Sequence, residues 1–322
     1  MGKIAFVFPG QGSQSVGMGK DLYENFSSAR EVFDRADVVL GKSISSMCFE
    51  GPDEDLKQTI NTQPAILTTS IAALEAFKEK SDIKPDYVAG HSLGEYSALY
   101  ASWALDLDDV LKLVQKRAEL MNAAATGSMA AVIGMAQEQV EECVKAAQTE
   151  GIVSVANYNS PAQIVITGES KAIEKACENL KEAGAKRVIP LAVSGAFHSA
   201  LMKDAAQEFA SFVEKFEVND ANCTVITNAD AMETTLGADF KRKMPEQIYS
   251  SVYWTQTINK MVENGVDTVI EIGPGKVLTG LVKKINAEVK TYNIYDVESL
   301  NATVEALSTA NVLIFNLNRK QS

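Results

Sequence analysis

Basic charge, paired cysteines, histidine and long apolar runs are all scarce in this 322-residue chain. Lys and Arg number 30 against 42 Asp and Glu, a formal charge of −12. A field of that sign repels a phosphate backbone, so general nucleic-acid binding is not expected. The four cysteines, Cys48, Cys143, Cys177 and Cys223, form no C-x-x-C pair. Neither a zinc site nor a disulfide framework is indicated, and the cytoplasm is the expected compartment. No apolar stretch approaches the ~20 residues of a membrane span. The opening MGKIAFVFPGQG holds a short apolar run before Pro and Gly, so it reads as a first strand and not as a signal peptide. Phe6 stands where a myristoylation signal needs Ser or Thr. No membrane contact, metal or cofactor is therefore expected. Nucleotide binding is also disfavoured at GQGSQ: Ser15 replaces the third glycine of a dinucleotide loop, while Gln14 and Asp21 break a phosphate loop around Gly19-Lys20.

What is present is a composition able to build a core, 46% hydrophobic and 22% charged, with alternating elements. From Lys3 to about Thr126 the pattern runs strand, glycine-rich turn, helices, strand, tight corner and helix, with a further helix over Asp109 to Ala124. This order suggests a mostly parallel α/β sheet. From 127 to 195 it changes to β-α-β-β-α-β, the ferredoxin-like unit, which reads as an inserted small α+β domain. The expected division is a discontinuous large α/β domain over 1–126 and 196–322, and a small domain over 127–195. Beyond 196 the readable elements are a helix over 200 to 216, the strand DTVIEIG, the helix KVLTGLVKKIN, the strand KTYNIY and a helix from Val297 to Ser308. The final NVLIFNLNRKQS reads either as a packed last turn or as a tail outside this plan.

The chemistry concentrates at GHSLGEY, residues 90 to 96. A G-x-S-x-G pattern between an extended approach and a helix lets backbone pass closely at the glycines and projects Ser92 from the sheet edge as a nucleophile. The same five residues also fit a helix start capped by Ser92. A serine nucleophile needs a base, and the chain has two histidines. His91 adjoins Ser92 on the corner and should point away from it; His198, in SGAFHSALM, remains as the base. Arg117 falls on the core-facing stripe of Val110, Leu113, Val114, Ala118 and Met121. A cation there needs an internal acid, or else faces a pocket suited to a substrate carboxylate. The amides of Gln11, after the first strand, and Leu93, after the nucleophile, are the candidate oxyanion donors. GPGK at 273 to 276 reads as a tight turn with Lys276 exposed and no catalytic part.

These stretches, together with NYNSPAQIVITG, GAFHS, QIYSSVYWTQT and EIGPGKVLTGL, resemble in order the malonyl-CoA:acyl carrier protein transacylases of bacterial fatty-acid synthesis, from residue 3 to about 308. The resemblance implies a hydrolase-like large domain with a ferredoxin-like insertion. It also implies transfer of malonyl from malonyl-CoA to acyl carrier protein, with Ser92 taking the acyl group, His198 as base and Arg117 on the malonyl carboxylate. Gln11 and Leu93 would supply the oxyanion amides, and the main-chain carbonyl of Gln247 would orient His198. An acidic carrier would need a basic patch, for which Lys186-Arg187 and Lys283-Lys284 are the candidates. A serine esterase or thioesterase, with Asp106, Asp108 or Asp109 as its acid, is a lesser competitor. A free-standing acyltransferase of a polyketide synthase would share the same residues.

Overall fold

The computed structural model describes residues 2–124, 126–193 and 195–319, with side chains as far as residue 309. In chain order its strands are β1 (Lys3–Phe8), β2 (Tyr87–Gly90), β3 (Ser128–Ile133), β4 (Val153–Ser160), β5 (Gln163–Gly168), β6 (Arg187–Pro190), β7 (Thr224–Ile226), β8 (Glu233–Thr234), β9 (Val266–Ile272) and β10 (Lys290–Ile294). IAFVF reads as an unbroken apolar run, and TVIEI as one interrupted by the buried Glu271, because β1 and β9 are central strands covered on both faces. They lie in a six-stranded sheet of order β10-β9-β1-β2-β7-β8. Every neighbouring pair in it is parallel except β7 with β8. The second sheet is antiparallel throughout, in the order β4-β5-β3-β6, and the helices Gln137–Ala147 and Ser170–Glu182 pack on it.

The chain leaves β1 towards β2 on one side and later returns to β9 on the other side of β1. Such a reversal opens a crevice at the carboxyl ends of the strands. Three turns meet there: Pro9 to Gln11 after β1, the corner after β2, and Gly273 to Lys276 after β9. The second sheet is tied to this edge, since Tyr158 N donates to Val252 O at 2.9 Å and Val252 N to Ala156 O at 2.8 Å.

Between residues 200 and 319 the helices depart from expectation. The expected helix over 200–216 is a 3₁₀ turn, Ala200–Met202, followed by the helix Lys203–Val213, and the last helix runs Val297–Arg319 instead of stopping near Ser308. Strands β7 and β8 and the helices Gly237–Tyr249 and Trp254–Glu263 occupy a stretch whose pattern had no reading. Two of these are strands of three and two residues, too short to show an alternation.

The corner at Ser92 depends on two absent side chains. A Cβ on Gly90 would lie 1.8 Å from the Gly94 carbonyl carbon, and one on Gly94 would lie 2.1 Å from Phe8 O. Both obstacles are backbone, which cannot swing aside. We expect Gly94→Ala to lower stability by at least about 2 kcal/mol through forced separation of β1 from the corner. Urea unfolding measures this, and an unchanged midpoint would contradict the packing described.

Candidate active site

Ser92 sits between β2 and the helix Gly94–Ala101 with φ of 49°. This left-handed conformation is costly for a non-glycine residue and aims the side chain out of the sheet edge. Its Oγ lies 2.8 Å from His198 Nε2. The other ring nitrogen, Nδ1, is 2.9 Å from the main-chain oxygen of Gln247 and 3.1 Å from that of Ser250. Carbonyls only accept, so Nδ1 carries the proton and Nε2 is left to accept from the serine hydroxyl. Burial first, and then the Arg117 cation, push His198 down to about 3 against those two carbonyls. The imidazole is thus neutral and ready to take a proton.

Arg117, on the helix Leu107–Ala123, is fully buried. Its Nη1 donates to Gln63 Oε1 at 2.6 Å, and its Nη2 donates to Gln247 Oε1 at 3.0 Å and to Ser92 Oγ at 3.1 Å. The guanidinium lies over the Tyr96 ring, 5.4 Å from its centroid. Among the described residues no carboxylate comes within ion-pair distance of it. The internal acid that could have explained a core-facing arginine is therefore missing, and the cation faces a cavity of about 120 Å³ that Ser92, His198, Gln11, Leu93 and Phe197 also line. Among the described residues neither the Gln11 nor the Leu93 amide has an acceptor, so both N–H groups are free to bind an oxyanion. A larger groove of about 1010 Å³ lies between the helices Lys203–Val213 and Gly237–Tyr249 and contains none of these groups. The chemistry belongs to the smaller cavity.

A serine hydroxyl paired with a neutral imidazole, with a buried cation beside it, is a geometry able to transfer an acyl group, and comparison with known proteins agrees. The family model for the acyl transferase domain matches residues 5–310. The malonyl CoA-acyl carrier protein transacylase of Bacillus subtilis (strain 168) is 51% identical over 315 residues, covering 97% of this chain and 99% of that protein. This chain belongs to the malonyl CoA-acyl carrier protein transacylase family. The Haemophilus influenzae member is 44% identical, covering 95% of this chain and 100% of that one. Among solved structures, the transacylase of Clostridium perfringens superposes with a TM-score of 0.93 at 43% identity, covering 97% of this chain and 99% of that one. A malonyl-transacylase in complex with its type II PKS acyl-carrier protein superposes with a TM-score of 0.92 at 40% identity, covering 94% of this chain and 99% of that one.

Within this transacylase family member the remaining sequence candidates fall into place by contact. His91 does point away from the serine hydroxyl: its Nε2 is 2.7 Å from Asn159 Oδ1 and its ring is tilted on Trp254 at 5.6 Å. Lys276 lies over the Tyr295 ring and contacts none of the site residues. The acids a serine esterase would need are engaged elsewhere. Asp106 caps the Asp109 amide, Asp108 pairs with Arg35, and Asp109 lies 3.8 Å from Lys112. Lys186, Arg187, Lys283 and Lys284 are exposed, and none is in an ion pair among the described residues. Among those residues there is also no cluster able to hold a metal ion and no helix long and apolar enough to cross a membrane.

Sequence reasoning missed Gln63, Asn228 and the side chain of Gln247. Asn228 Oδ1 accepts from the Ser92 amide at 2.7 Å, and Gln247 Nε2 donates to Ser92 O at 2.9 Å. Each is an uncharged side chain with no local pattern that reveals its contact, and only the fold brings Asn228 and Gln247 to the serine and Gln63 to Arg117.

Proposed function

We propose that this chain moves the malonyl group of malonyl-CoA to the phosphopantetheine thiol of an acyl carrier protein through an ester on Ser92. The observation that carries the reading is the buried Arg117, without a carboxylate partner among the described residues and hydrogen-bonded to Ser92 Oγ. In the first half-reaction Ser92 Oγ attacks the thioester carbonyl while His198 Nε2 takes its proton. The Gln11 and Leu93 amides hold the oxyanion, and the Gln247 carbonyl keeps His198 in the required tautomer. CoA leaves as the thiol with the proton from His198. In the second half-reaction the carrier thiol gives its proton to His198 and attacks the ester, and Ser92 recovers the proton. One small pocket can serve both thiols in turn, which is the use of a covalent intermediate. A planar guanidinium at Arg117 suits a carboxylate bidentately and gives a neutral acyl group nothing to pair with.

Supporting a ferredoxin-like small domain over 127–195 is the strand order of its sheet, in which the first strand lies between the last and the third. The parallel sheet with a serine corner at its edge supports the hydrolase-like reading of 1–126 and 196–322. The family and the scattered cysteines support a cytoplasmic enzyme. A polyketide carrier is the second reading, favoured by the solved complex with a type II PKS carrier.

Arg117→Ala should reduce malonyl transfer by roughly two to three orders of magnitude, the worth of a desolvated arginine-carboxylate pair, and acetyl transfer far less. Steady-state kinetics with both donors tests this, and equal losses would make Arg117 a structural cation. For the carrier we assign contact to Lys186, Arg187, Lys283 and Lys284, on the ground of their exposed, unpaired charge and the acidity the partner is expected to have. Reversing all four to glutamate should slow transfer to fatty-acid and polyketide carriers alike without slowing Ser92 acylation. A carrier reaction indifferent to the four reversals would place docking elsewhere.

A further inference from the structure

A carboxylate is rarely buried without a cation on it, yet Glu95, on the first turn of the helix that follows Ser92, is 2% exposed. Its Oε2 accepts from the Asn228 amide at 2.5 Å. Lys243, the nearest lysine in charge terms, pairs instead with Asp230 at 2.9 Å and donates to Thr227 and Thr234. Asn228 in turn grips both sides of the serine corner. Its Oδ1 accepts from Ser92 N at 2.7 Å and its Nδ2 donates to Gly90 O at 2.7 Å. Glu95, Asn228, Gly90 and Ser92 thus form a closed hydrogen-bonded ring behind the nucleophile. Gln247 links that ring to Arg117, donating to Asn228 Oδ1 at 3.4 Å and accepting from Arg117 at 3.0 Å.

We propose that Glu95 and Asn228 are positioning residues for acyl transfer: together they clamp the Ser92 corner from behind, and the charge on Glu95 sets how strongly Arg117 attracts the carboxylate of the donor. The second part rests on the reading that Arg117 binds the malonyl carboxylate. An amide oxygen would hold the Asn228 N–H as well as a carboxylate does, at a much smaller desolvation cost. The charge is therefore the feature that needs a use. Ionised Glu95 shares a water-excluded volume with Arg117, and each favours the charged form of the other. A malonyl carboxylate arriving at Arg117 brings a second anion to one cation, and like charges in such a volume oppose joint ionisation.

Burial pushes Glu95 up to about 7, while the Asn228 amide, Arg117 and Lys243 draw it back and Asp230 adds to the rise. The charged groups facing it are thus Arg117 from the helix Leu107–Ala123, Lys243 from the helix Gly237–Tyr249, and Asp230 from the loop after β7. His91 and His198 are shifted down and Tyr96 up. Among the described groups of this site Glu95 is then one whose charge changes near neutrality. Below its pKa it is neutral and Arg117 is fully available to the donor carboxylate. Above it the two anions compete, and donor binding draws a proton onto Glu95.

The test is the ratio of kcat/KM for malonyl-CoA over acetyl-CoA in Ser92 acylation, since titrations of the shared CoA moiety cancel. From about pH 6 to about pH 8.5 the wild-type ratio should fall by roughly fivefold, the low end of couplings between sites. Glu95→Gln keeps an acceptor for Asn228 and removes the charge, so its ratio should stay flat at the low-pH wild-type level. Asn228→Ala should lower kcat for both donors alike with KM little moved, and Asn228→Asp should recover part of the loss by restoring an acceptor for the Ser92 amide. A substrate-free readout checks the titration. Because the folded carboxyl ionises near 7 and the unfolded one near its ordinary value, wild type should lose thermal stability relative to Glu95→Gln as pH rises towards and through about 7. Parallel stability curves, or a flat wild-type ratio while Arg117→Ala still abolishes the malonyl preference, would overturn this inference and leave the acyl-transfer reading standing. A wild type without malonyl preference at any pH would sink that reading itself.

Discussion

Removing a guanidinium from water costs several kcal/mol, and at Arg117 the neutral oxygens of Gln63, Gln247 and Ser92 return only part of that cost. The Tyr96 face adds a further fraction. A cation left so incompletely satisfied holds the cavity in tension with any anion of the right size. It also depresses the affinity of His198 for a proton, so the charge that would attract an anion also keeps the imidazole neutral. The rest of the site is arranged to hold that charge still. Gln247 alone contributes a carbonyl to His198, an acceptor to Arg117 and a donor to Ser92 O.

The large sheet provides the rigidity this arrangement needs. Parallel strands β1, β2 and β9 end at one edge, and the turns after β1 and β2 touch through backbone at Gly10 and Gly94. Ser92 is held in a left-handed conformation by that contact and by Asn228. Hydrogen bonds with β1, with the loop after β7 and with the helix Gly237–Tyr249 over-determine the corner, which is how such strain persists in a folded protein. The Gln11 and Leu93 amides are set by the same two turns, so the Ser92 hydroxyl and both N–H groups are placed by one contact.

Ser92, His198, Arg117, Gln11 and Leu93, which the fold gathers around one cavity, were legible as candidates because each sits in a short contiguous pattern whose local mechanics carry meaning. A G-x-S-x-G corner, one spare histidine and a cation on an apolar stripe can be read without a fold. Gln63, Asn228 and Glu95 could not be read that way. Glutamine and asparagine are ordinary surface residues by composition, and the burial of Glu95 depends on a loop more than a hundred residues away. The α/β alternation was legible from the apolar runs of β1 and β9. The region of β7, β8 and the helix Gly237–Tyr249 was not, because its strands are minimal and Pro245 stands inside its helix, where proline ordinarily signals a break. The late apolar VLIF belongs to the helix Val297–Arg319, and its side chains lie outside the described residues.

The central claim is that Ser92 carries a malonyl group between two thiols, and intact-protein mass spectrometry addresses it without assumptions about rate. After brief exposure to malonyl-CoA, the protein should gain the mass of one malonyl group, keep it when no thiol acceptor is present, and lose it on addition of an acyl carrier protein bearing its phosphopantetheine thiol. Loss of the group in buffer alone at the rate seen with carrier would show a hydrolase, and a full gain of mass in Ser92→Ala would show that the acyl group is carried by another residue.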